Sequence, residues 1–139
     1  MSVKAIVGRK GSGKTPIMLQ QIELLSQDKE SNIVFIEYGK TVVHLIPHSV
    51  RLIDITEYPV RGFSQLIAFL AGMNAKDYDI SHIFIDSLLT IAADNSADHL
   101  SEFLTALEDL ARRVDVKITV SISLDREEFP RESLRFLEE

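Results

Sequence analysis

The chain has 139 residues, 45% hydrophobic and 26% charged, with a net charge of −6 and no cysteine. That is enough apolar material for one domain over residues 1–139, and the acidic balance argues against a basic sheath for nucleic acid. Disulfides, thiolate metal sites and cysteine nucleophiles are excluded, and no apolar run approaches the roughly 20 residues that span a bilayer.

Val3, Ala5, Ile6 and Val7 predict a buried strand ending at Gly8. A strand that begins by Val3 leaves no room for a signal peptide, so a cytoplasmic setting is expected. Gly8-Arg9-Lys10-Gly11-Ser12-Gly13-Lys14-Thr15 then fits G-x-x-x-x-G-K-[ST], a phosphate-binding loop. Its glycines let backbone N–H groups wrap a phosphate chain, its Lys reaches the β and γ phosphates, and its Ser/Thr hydroxyl holds Mg²⁺. A side chain at Gly13 would obstruct the approach of an oxyanion. Ile17, Met18, Ile22 and Leu25 predict a helix over 14–26, which places Lys14 at a helix N-terminus that already favours an anion. Pro16 fits the first turn, where its missing N–H has no partner to lose. The alternative is a glycine-rich turn without a ligand. The strand before and the helix after favour a nucleotide site over Gly8 to Pro16.

Gln27 to Ser31 is a polar turn, and Ile33 to Ile36 a second buried strand running into Glu37-Tyr38-Gly39. Thr41 to Ile46 fits a short helix or an extra strand, and Pro47 ends either. His44 and His48 are four apart, but Pro47 between them breaks the helix a zinc pair needs, so no metal is assigned there. Arg51 to Ile55 predicts a third strand, 63–73 a helix, and Ile83 to Asp86 a fourth strand. Leu100, Phe103, Leu104, Leu107, Leu110, Ala111 and Val114 share one face of a helix over 100–114. Val116 to Ser123 predicts the fifth strand. The segment 126–139 predicts a short helix covering a sheet edge. Strands alternating with helices point to a three-layer α/β/α sandwich with a mainly parallel five-stranded sheet.

Phosphoryl chemistry needs positioning and charge neutralisation. Asp86, after three large apolar residues at the end of a buried strand, fits the second magnesium ligand beside Thr15 (the Walker B position), since ligands of open α/β sheets gather at the carboxyl ends of strands. An Asp there is also a common turn or cap residue. Ser87 stands where many such ATPases carry a Glu. Glu37, at the end of the second strand, is the remaining candidate to orient water, against the reading of an exposed acid at a strand end. Arg9 and Lys10 either add to phosphate attraction or face water.

These residues resemble the RecA-type ATPase core, most closely the motor domain of bacterial replicative helicases. In that family a strand ends in a catalytic Glu, as in Ile36-Glu37-Tyr38, and the next ends in acidic residues, as in Leu52-Ile53-Asp54-Ile55-Thr56. The Walker B strand continues as Asp86-Ser87-Leu88 does here. Leu107-Glu108-Asp109-Leu110-Ala111 and Ile122-Ser123-Leu124-Asp125-Arg126 match its last helix and strand. The resemblance spans nearly the whole chain. It implies a RecA-like P-loop NTPase fold, Mg²⁺ and ATP rather than GTP as ligands, and Glu37 as the catalytic carboxylate. Ser123 replaces the family's γ-phosphate-sensing Gln. Arg126 and Arg131 lie where relatives present an arginine finger to a neighbouring subunit, so a second copy or a larger partner is expected to complete the site. The family continues with further strands and DNA-binding loops beyond the matched region, so unwinding by these residues alone is not expected.

Three functions remain open: slow ATP hydrolysis, a nucleotide-gated assembly module without turnover, and a small-molecule or nucleotide kinase. A kinase would add an Arg-rich lid, and none lies between the fourth and fifth strands.

Overall fold

An alternation of period two along the strands sorts their side chains onto two unlike faces, and this decides where the chemistry sits. The computed structural model describes residues 1–138. Strands β1 (Val3–Gly8), β2 (Ile33–Glu37), β3 (Arg51–Asp54), β4 (His82–Ile85) and β5 (Lys117–Ser123) form one sheet in the order β1-β5-β4-β2-β3. Every neighbouring pair is parallel. Helix α1 (Lys14–Leu25) lies on one face; α2 (Gly62–Lys76), the short α3 (Leu88–Ala92) and α4 (Ala97–Val114) lie on the other. The three-layer α/β/α sandwich is therefore as expected, and its sheet is wholly parallel.

On the α1 face, Met18 and Ile22 pack on Ile6, Ile33, Phe35 and Phe84. The opposite face is larger. Val34, Ile36, Ile83, Ile85, Ile118, Val120 and Ile122 from the strands meet the apolar stripes of α2 and α4 there. Strands buried on both faces read as apolar runs, as these do. In β5, Ile118, Val120 and Ile122 take the α4 face, which leaves Thr119, Ser121 and Ser123 for the α1 face.

One local expectation is corrected and a second made more specific. Residues 41–46 form neither a helix nor a strand but a series of turns. The N–H groups of Thr41 and Val42 are drawn to the Glu37 carboxylate, and Leu45 N–H bonds Val42 O at 2.8 Å. The C-terminal segment forms two 3₁₀ turns, Arg126–Glu128 and Arg131–Phe136, rather than an α-helix. Pro130 separates them, and it cannot donate to a continuous ladder. The segment does cover an edge: Leu137 bridges Ala5, and Glu138 N–H bonds Ala5 O at 2.9 Å along the outer side of β1.

Glu108 on α4 fixes the start of β1. Its buried carboxylate accepts from Ser2 N at 3.0 Å and Val3 N at 2.9 Å, giving the first strand donors a charged partner. Glu108→Ala strands the buried Val3 N–H and is expected to cost about 1–3 kcal/mol in urea unfolding. Asp109→Ala removes only an exposed i,i+4 pair with Arg113 and is expected to stay within about 0.5 kcal/mol. Equal losses would contradict the anchoring role.

Candidate functional site

The turn from β1 into α1 takes backbone shapes that explain its glycines. Gly11 has φ 84° and Gly13 φ 93°, in the left-handed region that L-residues enter only under strain. A Cβ at Gly13 would meet no protein atom within 4 Å, so its constraint is the backbone angle and not contact within the chain. Gly8 is different: a Cβ there would lie 2.5 Å from Ser12 Oγ. The loop folds back on itself at this point, with Ser12 N–H bonded to Arg9 O at 3.0 Å.

Lys14 opens α1 with a side chain that curls under the loop. Its ammonium donates to Gly8 O at 3.0 Å and Arg9 O at 2.9 Å. Burial pushes this ammonium below its ordinary pKa, and nearby Asp86 pulls in the other direction. Thr15 donates its hydroxyl to Asp86 Oδ2 at 2.7 Å. Asp86 follows β4 directly and is buried. Its other oxygen, Oδ1, accepts from Ser121 Oγ at 2.5 Å, and Ser121 Oγ in turn accepts from Ser87 N–H at 2.7 Å. Ser87 is held at φ 62°, a strained value for a residue with a Cβ. The Ser121 hydroxyl thus fixes both the carboxylate and the turn behind it.

The loop and the strand ends share a cavity of about 390 Å³. Lys10, Gly11, Gly13, Lys14, Thr15 and Pro16 line it from the loop and the start of α1, and Asp86, Ser87 and Ser123 from the strand ends. Cavities of about 490 and 530 Å³ lie elsewhere, so volume does not single this one out. Its distinction is chemical: a lysine, a helix N-terminus, and a hydroxyl–carboxylate pair converge on one space.

Other expected site residues lie off this wall. Arg9 is paired with Asp125, which follows β5, and does not reach into the cavity. That pairing raises the Arg9 pKa and lowers that of Asp125. Gly8 and Ser12 shape the loop from behind. Glu37 ends β2, only 2% exposed, with Oε1 accepting from Thr41 Oγ1 at 2.6 Å and Oε2 from Val42 N at 3.4 Å. Arg126, weighed as a finger, reaches Glu138 O at 3.5 Å, while Arg112 and Arg113 pair along α4 with Glu108 and Asp109.

Ser121 went unnoticed in the sequence, although a signal existed. It is a serine inside an apolar strand, two residues before Ser123 and therefore on the same face. Asp54 is similar. Its Oδ1 accepts from Gly39 N at 2.9 Å, Thr56 N at 3.0 Å and Thr56 Oγ1 at 2.7 Å, tying the turns after β2 and β3 together. The Thr56 hydroxyl is the main cause of its lowered pKa.

Comparison with known proteins supports the architecture. No family model matches the chain, and no curated protein matches it. Among solved structures, the crystal structure of the flagellar accessory protein FlaH from Methanocaldococcus jannaschii superposes with a TM-score of 0.57 at 16% identity. The alignment covers 96% of this chain and 65% of FlaH, so the chain spans somewhat under two thirds of that protein's length. The shared architecture is a RecA-like α/β fold.

Ser121→Ala removes one donor from Asp86 and the only described acceptor for Ser87 N–H. Thermal or urea unfolding is expected to show a loss of about 1–3 kcal/mol. Ser123→Ala, at the exposed end of the same strand face, is expected to stay within about 0.5 kcal/mol. If the two serines are equally dispensable, the clamp is wrongly assigned.

Proposed function

We propose that this RecA-like chain binds Mg·ATP between the loop at residues 8–15 and the carboxyl ends of β4 and β5, and hydrolyses it slowly. One observation carries the reading: Thr15 Oγ1 and Asp86 Oδ2 lie 2.7 Å apart although 71 residues separate them, in a cavity that Lys14 also lines. A hydroxyl and a carboxylate are hard oxygen donors, the kind Mg²⁺ takes. Among the described residues no group of three or more His, Cys, Asp or Glu is arranged for a metal. The remaining ligands would then be phosphate oxygens and water, the usual division for this ion.

In this reading the backbone N–H groups of residues 11–15 and the Lys14 ammonium hold the phosphates. Gly8, Arg9, Lys10, Ser12 and Pro16 complete the loop around them. Lys14 would exchange its two carbonyl partners for phosphate oxygens. Thr15 and Asp86 hold the metal, which when bound supplies charge neutralisation at the reacting phosphates. Ser123, which also lines the cavity, reports the terminal phosphate, and Glu37 orients the attacking water. An arginine from a second copy or a larger partner completes the site. The preference for ATP over GTP and the cytoplasmic setting belong to the same proposal, supported by the likeness of the motif order to replicative-helicase motors. Strand separation forms no part of it. For the membrane, no helix among the described residues is long and apolar enough to cross one.

A second reading is favoured by one feature. Glu37 is buried and bonded to its own loop, as suits a module in which ATP alters an interface without turnover. Calorimetry with Mg·ATP tests the first step: Lys14→Ala is expected to weaken binding at least about tenfold, the scale of one lost charged hydrogen bond. Asp86→Asn is expected to weaken Mg·ATP while sparing metal-free ATP. Unchanged affinity in Lys14→Ala rejects the nucleotide site. Phosphate release then separates the readings, since hydrolysis requires wild type to exceed Glu37→Gln.

A further inference from the structure

We infer that Thr41 is a positioning residue that keeps the Glu37 carboxylate turned away from the cavity, so that turnover waits on displacement of residues 38–46. The inference rests on the nucleotide reading above and concerns how that site is restrained.

Glu37 stands at the right height and on the right face. Asp86 N–H bonds Ile36 O at 2.9 Å, so the residues that end β2 and β4 are neighbours at the sheet's carboxyl edge. In β2, Val34 and Ile36 face the α4 side while Ile33 and Phe35 face α1. The period of two therefore assigns Glu37 to the α1 face, the side on which the phosphate loop lies.

The carboxylate itself is already engaged. Thr41 gives Oε1 a hydroxyl at 2.6 Å and an N–H at 3.2 Å, and Val42 N–H approaches Oε2 at 3.4 Å. A base must come within hydrogen-bond reach of the proton it takes, directly or through one water. At 2% exposure, and with Glu37 absent from the cavity wall, that reach is lacking in this arrangement.

The restraining segment has the makings of a hinged flap. Gly39, at φ 110°, supplies a turn that other residues enter only under strain, and its N–H is tethered to Asp54. Val42 and Ile46 anchor on the α1-side core, while Tyr38, Val43 and Leu45 project into solvent. The strongest link from the flap to Glu37 is the Thr41 hydroxyl, and Thr41 is itself exposed. Removing that hydroxyl therefore disturbs the latch and not the core.

Phosphate release from Mg·ATP by the full chain tests this, with wild type, Thr41→Val, Thr41→Ser and the Thr41→Val/Glu37→Gln double variant. Thr41→Val is expected to raise the rate about tenfold, the equivalent of one charge-assisted hydrogen bond. Thr41→Ser, which keeps the hydroxyl, retains the wild-type rate. The double variant falls to background, and ATP affinity by calorimetry is unchanged throughout. Thr41→Ala gives the same rise by a smaller side chain and guards against misfolding specific to valine. A Thr41→Val rate at or below wild type overturns the inference, because Thr41 then orients Glu37 for catalysis or has no bearing on it. A rise that survives in the double variant overturns it too. Failure of the nucleotide reading has a different signature: ATP binding is missing, or is indifferent to Lys14→Ala, and both proposals fall together.

Discussion

The architecture turns on a buried carboxylate with two hydroxyl donors. Asp86 receives Thr15 on one oxygen and Ser121 on the other. A carboxylate taken from water needs such partners, since an unpaired buried charge is among the costliest features a fold can carry. Here each partner comes from a different part of the chain. Thr15 belongs to the first turn of α1, Ser121 to the strand between β1 and β4, and Asp86 directly follows β4. Satisfying one carboxylate therefore pins three segments in register, and the cavity is the space left above them.

That pinning depends on the strand order. β5 is inserted between β1 and β4, so the loop and Asp86 are not on adjacent strands. The intervening strand contributes Ser123 to the cavity's lining. It also explains why one strand is apolar on one face and lined with serines and threonine on the other. Ile118, Val120 and Ile122 serve the α4-side core, while Ser121 supports the site.

On the proposed reading Glu37 is drawn two ways, by stability and by chemistry. In the fold its carboxylate is a good acceptor for the turn at Thr41 and Val42, and that use gives backbone donors a partner. On the proposed reading the same bonds hold it back from the cavity. Sites of reaction commonly hold groups in arrangements that the resting fold must release, and the loop from Tyr38 to Ile46 is the element on which that release is proposed to depend.

Much of this was legible from residues alone. The glycine spacing marked the tight turn between β1 and α1, because glycine enters the left-handed backbone region without strain. The alternation of apolar runs with α-helical stripes specified a layered α/β sandwich, because period and burial are local properties of sequence. Asp86 was legible as the residue that ends a buried strand. The strand order was not, since pairing between distant segments leaves no local mark, and without it neither the Ser121 clamp nor the place of β5 could be seen. The Arg9–Asp125 pair and the bonding of Glu37 to Thr41 were equally hidden, one spanning 116 residues and the other made within an irregular turn. Sequence determined which chemical groups were present and which strand ends carried them. Tertiary packing alone decided which of those groups face one another, because that depends on long-range register and on the competition of backbone donors for a few buried oxygens.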